Sequence, residues 1–262
     1  MVPSRKDFTP REWRLIQRLN TPSKVQRWLN ALPYNTEKGG GTQRSFRGVL
    51  RHQQAHCMEA ALFAAVVLEQ YGYPPIVMSL ESKDWLDHVI FIYKRTRSTK
   101  RGADGWGSIA RSRDPGLHGR KAVFRSPRTL AMSYVEGYVD YTGRLGGYGV
   151  CNLEEALPNY DWRLTTNNVW KVENLLIGWP HKKFKTSNTR YRQLLAYYKE
   201  YRATHNDEKP WRHLRGREKW TALPAELKQA RPRRRNAPHR ASGSARLEAM
   251  LRSRGTEGGT GS

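Results

Sequence analysis

The sequence predicts an α+β fold in which helices lead to one central, buried helix and an antiparallel sheet follows. Three observations predict it. The run 57–71 is Ala-rich and apolar on nearly every side, which suits a helix enclosed by protein all round. Two β-prone runs follow it, 76–80 and 88–93, rich in Val, Ile and aromatic residues. The strands come in succession instead of alternating with helices, so the sheet reads as antiparallel and not as βαβ units.

Local signals justify each element. Thr9-Pro10 reads as an N-cap with Pro at the first helical position, and Glu12 sits in the acid-favouring first turn. Trp13, Ile16 and Leu19 then keep helical spacing. Thr21-Pro22 repeats the start signal, Val25, Trp28, Leu29 and Leu32 continue it, and Pro33 ends it. Residues 39–42 read as a flexible connector. The central helix starts at Cys57, stops at Gly72 and is barred from continuing by Pro74-Pro75. Strands are expected at 76–80, 88–93 and 106–111, with a hairpin loop over 94–105. Residues 123–124 read as a short strand and 129–134 as a helix. Residues 143–149 read as a loop, 153–157 as a helical turn, and 170–177 are apolar without a deciding period. Ser187 or Asn188 caps a helix through Arg202, whose Tyr191, Leu194, Leu195, Tyr198 and Tyr201 form a packing stripe. A last weak helical piece falls at 223–227.

Charge divides the chain. Of 262 residues, 47 are Lys or Arg and 23 Asp or Glu, a net charge of +24. Residues 179–262 hold 21 of the cations and 7 of the acids, more than half of the excess. The reading is therefore three parts: a domain over 1–178 with its core about 45–140, a basic helical extension over 179–230, and an Arg/Gly/Ser-rich tail over 231–262. The tail has too little apolar surface to offset its ordering entropy and is expected to be disordered. No run is long and apolar enough to span a membrane, residues 1–10 hold no secretory h-region, and two cysteines are neither a disulfide framework nor a zinc site. The cytoplasm is the expected compartment.

Cys57 carries the chemistry. At a helix start the backbone N–H groups lack partners and the macrodipole is positive, so a thiolate is stabilised. A nucleophile also needs a base within hydrogen-bond reach, and His88 heads the second strand. His88, Ile90 and Ile92 share a strand face; if that strand packs over the helix start, imidazole meets thiol. Singly, the Cys reads as core and the His as structural; jointly, their placement is specific. The Cys57 N–H is the natural oxyanion donor, with Gln53 or Gln54 adding a side-chain amide, although both also read as solvated loop residues. His56 is expected to shape the loop. Glu59 favours the helix dipole but raises the thiol pKa, and is taken as structural. Asp87 falls on the opposite strand face from His88, and Cys151 is an incidental thiol. His118, His181, His205, His213 and His239 show no metal-ligand spacing, and Gly102, Gly105 and Gly107 open no helix, so neither metal nor cofactor is expected.

The segments His56-Cys57-Met58-Glu59-Ala60-Ala61, Gly72-Tyr73-Pro74-Pro75, Asp87-His88-Val89 and Trp106-Gly107-Ser108-Ile109-Ala110-Arg111-Ser112 resemble the transglutaminase-like superfamily, closest to an uncharacterised bacterial branch. Thr21–Gln26, Leu32–Asn35 and Met132–Tyr134 are similar to that branch as well. The resemblance spans roughly residues 8–175 of the chain. It implies a papain-like core in which the Cys helix packs on the antiparallel sheet, with Cys57 as nucleophile and His88 as general base. The third member is an Asp that the superfamily places just past a Trp. Asp114, followed by Pro115, is the only carboxylate there and lies later than the pattern expects. Ser108 or Ser112 is the alternative orienting residue.

The resemblance implies a cysteine hydrolase or acyltransferase acting on a peptide or protein amide through a thioester, with no cofactor. His88 deprotonates Cys57, the thiolate attacks the carbonyl, and His88 protonates the leaving amine. Water or another amine then resolves the thioester. The alternative is a decayed, non-enzymatic module. The arginines between Arg231 and Arg254 leave open a non-specific contact with nucleic acid or an acidic partner.

Overall fold

The computed structural model describes residues 2–83, 87–95, 105–112, 115–139 and 143–204. Four helices come first. In α1 (Pro10–Arg18), Thr9 Oγ1 accepts from Glu12 N at 3.2 Å and the Glu12 carboxylate accepts from Thr9 N at 2.8 Å, a reciprocal cap that satisfies two orphan donors. Thr21 caps α2 (Pro22–Ala31). Ser45 caps α3 (Phe46–His52), which stops where Gln53 turns left-handed at φ 50. α4 (Cys57–Glu69) is buried from Met58 to Glu69. Gly72 at φ 80 reverses the chain after it, a conformation that favours glycine.

The sheet contains β1 (Ile76–Ser82), β2 (His88–Arg95), β3 (Gly105–Ile109), β4 (Arg120–Phe124), β5 (Leu145–Asn152) and β6 (Lys182–Lys183). Its order is β4-β3-β2-β1-β5-β6, and every neighbouring pair is antiparallel. α5 (Pro127–Met132) follows β4. α6 (Leu153–Ala156) and α7 (Trp170–Ile177) follow β5, and α8 (Asn188–Thr204) follows β6. This is an α+β architecture on an antiparallel sheet.

Strand alternation divides the core. Val77, Val89, Phe91 and Tyr93 join the cluster built by α4 and the first three helices. Met78, Leu80, Ile90 and Ile92 face a second cluster with Leu130, Ala131 and Tyr134. On α4, the Phe63 ring stacks with Trp28, at 4.4 Å, and with Phe46, at 5.1 Å. The stack locks α2 and α3 onto the helix that carries Cys57.

One sequence expectation is corrected. Residues 145–149 are not loop but the first part of β5, which pairs Leu80 with Tyr148 and Val77 with Cys151. The glycines mislead because they read as turn formers, whereas here they admit close neighbours. A side chain at Gly147 would start 2.8 Å from Glu81 Oε2, and one at Gly149 would start 3.0 Å from Trp179. The stretch 170–177 is helix. Most of the expected 94–105 loop, the 223–227 helix and the 231–262 tail lie outside the described residues. No helix among those described is long and apolar enough to cross a membrane.

Candidate active site

Cys57 opens α4 and remains partly solvent-accessible, while Cys151 is buried. His56 is the N-cap. Its Nδ1 accepts from Met58 N at 3.2 Å, and its own backbone N donates to Glu59 Oε2 at 3.0 Å. This is a capping box with His where Ser or Thr is usual. His56 Nε2 lies 2.8 Å from the Thr42 carbonyl, an oxygen that can only accept, so Nε2 carries a proton.

Glu59 is fully buried beneath the cap. It accepts from Asn35 Nδ2 at 3.0 Å, Thr42 Oγ1 at 2.8 Å and Arg44 N at 3.1 Å. The Arg44 Nε lies 3.7 Å away and His56 Nε2 3.5 Å away. One carboxylate thus fixes the end of the 39–42 connector against the helix start. The expectation of a structural Glu59 understates it, since its charge also faces the imidazole beside the thiol.

His88 is the first residue of β2 and pairs with Leu80 of β1. Ile90 and Ile92, on its strand face, lie in the cluster away from α4, yet the His88 imidazole at the strand end is near enough to the Cys57 thiol to lower its pKa. Its Nε2 lies 2.9 Å from the Leu117 carbonyl. The segment bearing that carbonyl is held at several points. Gln26 clasps Ala110, accepting from its N–H at 2.9 Å and donating to its carbonyl at 2.8 Å. The buried Arg120 guanidinium donates to the carbonyls of Gly116 at 2.6 Å and His118 at 2.5 Å, and lies 3.9 Å over the Tyr134 ring. Beside it, His118 is held neutral: burial and the nearby Arg111 and His88 push its pKa down to about 3.

Burial alone would push the Cys57 thiol up. The His56 and His88 rings beside it outweigh burial and hold the thiol well below its ordinary range. Burial likewise pushes His56 down, but the Cys57 hydrogen bond and charge, then Glu59, raise it to about 9. Cys151 shows the contrast, since burial and Glu155 raise it to about 11. The arrangement can therefore form a thiolate at neutral pH beside two proton carriers.

The other expected residues fall as follows. Gln53 is exposed and donates to the Leu50 carbonyl of its own helix at 2.6 Å. Gln54 is half-buried between α3 and the cap. Ser108 Oγ accepts from Arg120 N at 2.9 Å and meets Tyr134 Oη at 2.7 Å. Ser112 is buried, and its carbonyl accepts from Arg111 at 2.8 Å. Asp114 lies outside the described residues. Asp87 accepts from Ser82 N at 2.8 Å. His56 and the Leu117 carbonyl were missed as site members. His56-x-x-Glu59 is a readable capping-box spacing, whereas a main-chain carbonyl leaves no signal in sequence.

No protein-family model matches this chain, and no curated protein matches it.

Proposed function

We propose that this chain is a cysteine hydrolase or acyltransferase of transglutaminase-like kind, acting on an amide or peptide bond through a thioester on Cys57. The observation that carries the reading is the Cys57 thiol at the start of a buried helix, accessible to solvent and held well below its ordinary pKa range by the His56 and His88 rings. A buried Cys helix packed on an antiparallel sheet, with the His at a strand start, supports the papain-like arrangement. The thiolate attacks the carbonyl carbon, forming the C–S bond. A flanking imidazolium protonates the nitrogen as the C–N bond breaks. Water or an acceptor amine then attacks the thioester, with His88 as base, and the thiolate leaves. The Cys57 backbone N–H at the helix start is a donor for the developing oxyanion.

The test is alkylation of the full chain by iodoacetamide across pH 5–10, followed by turnover of a panel of fluorogenic peptide amides with and without hydroxylamine as acceptor. The reading expects Cys57 to react at a pH well below the value of about 8.5 at which a free thiol titrates, and Cys57→Ala to abolish turnover. Hydroxamate formation would mark acyl transfer to an amine. A Cys57 that titrates like a free thiol overturns the reading.

A further inference from the structure

The two imidazoles at the thiol have different surroundings. Against His88 the described residues set a neutral main-chain oxygen, the Leu117 carbonyl at 2.9 Å. Arg120 donates to the carbonyls on either side of Leu117, and the carboxylate next in sequence, Asp87, accepts from Ser82 N at 2.8 Å. Against His56 the structure sets an acceptor and a full negative charge, with the Thr42 carbonyl 2.8 Å and the buried Glu59 carboxylate 3.5 Å from Nε2. Among the described residues Arg44 is the cation facing Glu59, its Nε at 3.7 Å. With both rings and the carboxylate buried, such a difference decides where a proton sits, because charges are less screened there than in water.

We propose that His56, not His88, takes the proton of Cys57 in the resting enzyme, and that His88 is the base for the second half-reaction. The inference rests on the nucleophile reading above. In the resting step the S–H bond breaks, its electron pair stays on sulfur, and the proton bonds to His56 Nδ1. The contact given up is the Met58 N–H, the longer of the two hydrogen bonds to that ring at 3.2 Å. When the thiolate attacks, the His56 proton goes to the leaving nitrogen as the C–N bond breaks. His88, with its Nε2–H donated to Leu117, then uses its Nδ1 lone pair to take a proton from water as the oxygen attacks the thioester. Sulfur leaves with its electron pair, the proton on His88 passes by way of the sulfur to His56, and the carboxylic acid product gives its own proton to solvent. The pKa of His56, raised from 6.5 to about 9, agrees with a proton held on that ring.

The experiment compares iodoacetamide alkylation rates across pH 5–10 for the full chain and its His56→Asn and His88→Asn variants. Asn is among the strongest helix N-caps and keeps an acceptor for Met58 N–H without titrating. Circular dichroism and thermal melting check folding, and His56→Ser serves in the same way if the Asn variant does not melt cooperatively. The expected result is that His56→Asn moves the Cys57 profile up toward about 8.5, costing at least about tenfold in rate at pH 6. His88→Asn keeps the low-pH limb while losing turnover of peptide amides. A profile raised by His88→Asn and not by His56→Asn, or raised equally by both, overturns the assignment and leaves Cys57 as nucleophile. A parent chain that already titrates as a free thiol overturns the nucleophile reading itself.

Discussion

The two ends of α4 each bury a carboxylate, and they treat it differently. At the C-terminal end Glu69 meets Arg163, whose Nε lies 2.9 and 3.1 Å from the two carboxylate oxygens. Arg163 also pairs with Glu154 and lies 4.2 Å over the Trp162 ring. Burial still lifts Glu69 to about 7 against the pull of Arg163. At the N-terminal end Glu59 is satisfied chiefly by neutral donors: an amide, a hydroxyl and two backbone N–H groups. A cation held at close range cancels a carboxylate's field, whereas neutral hydrogen bonds solvate the charge and leave its field in place. The first arrangement closes off the end of a helix. The second leaves a negative charge for a neighbouring imidazole to use.

That contrast can be broken at either end. The largest effect on stability is expected from Arg163→Met, which leaves Glu69 buried without its cation. A loss of about 3 kcal/mol follows from breaking such a pair, a fall in Tm of roughly 6–12 °C for a domain of this size. The pH profile of Cys57 alkylation should stay where it is. Glu59→Gln should cost about 2 kcal/mol, since an amide NH2 meets donors where an oxygen accepted them, and should also slow Cys57 alkylation below pH 7. Melting and alkylation measured on both variants show whether stability and reactivity separate. If Arg163→Met shifts the alkylation profile as far as Glu59→Gln does, the contrast fails.

A smaller effect lies in the pH dependence of stability. The folded Cys57 pKa lies below its ordinary value of 9.0, so its contribution is present above 9.0 and is lost as pH falls through the folded value. The folded His56 pKa of about 9 lies above 6.5, so its contribution is full below 6.5 and is lost as pH rises through about 9. At pH values above both 6.5 and the folded Cys57 value, and below about 9, folding changes no net proton count for the pair, and its contribution is flat. Denaturant titrations of the parent chain and Cys57→Ser should differ most across that plateau and converge on the acid side. A difference independent of pH would remove the ion pair. The smallest effect is expected from Gln53→Ala: an exposed side chain bonded to its own helix should change stability by less than about 0.5 kcal/mol and leave alkylation unaltered. A marked loss of amide turnover in that variant would support Gln53 as an oxyanion donor.

Sequence reading reached what local rules encode. The capped starts of α1 and α2, the buried run of α4 and its Gly72 stop are all set by neighbours within a few residues. Cys57 and His88 were legible through their positions at element starts. What escaped depends on distant contacts. β5 was hidden because Gly147 and Gly149 are there for the sake of Glu81, Trp179 and His181, which lie far away in sequence. His56 was undervalued because its importance comes from Thr42 across the connector. Gln26 enters the sequence reading only as the end of a stretch with family resemblance, whereas in the fold it clasps Ala110 and so shapes the segment that faces His88.

The partner of His88 Nε2 is a main-chain oxygen, and this bears on how the site tolerates mutational drift. Any residue placed at 117 still presents a carbonyl, so substitutions there are nearly silent with respect to the ring's orientation as long as the backbone path holds. Sensitivity moves to the side chains that set that path, Gln26 and Arg120. A substitution at Gly119 belongs with them, because any added side chain would start inside the space of the Gln26 amide. Mutational scanning should therefore find the tolerant position next to His88 and the intolerant ones on an apparently unrelated helix and strand.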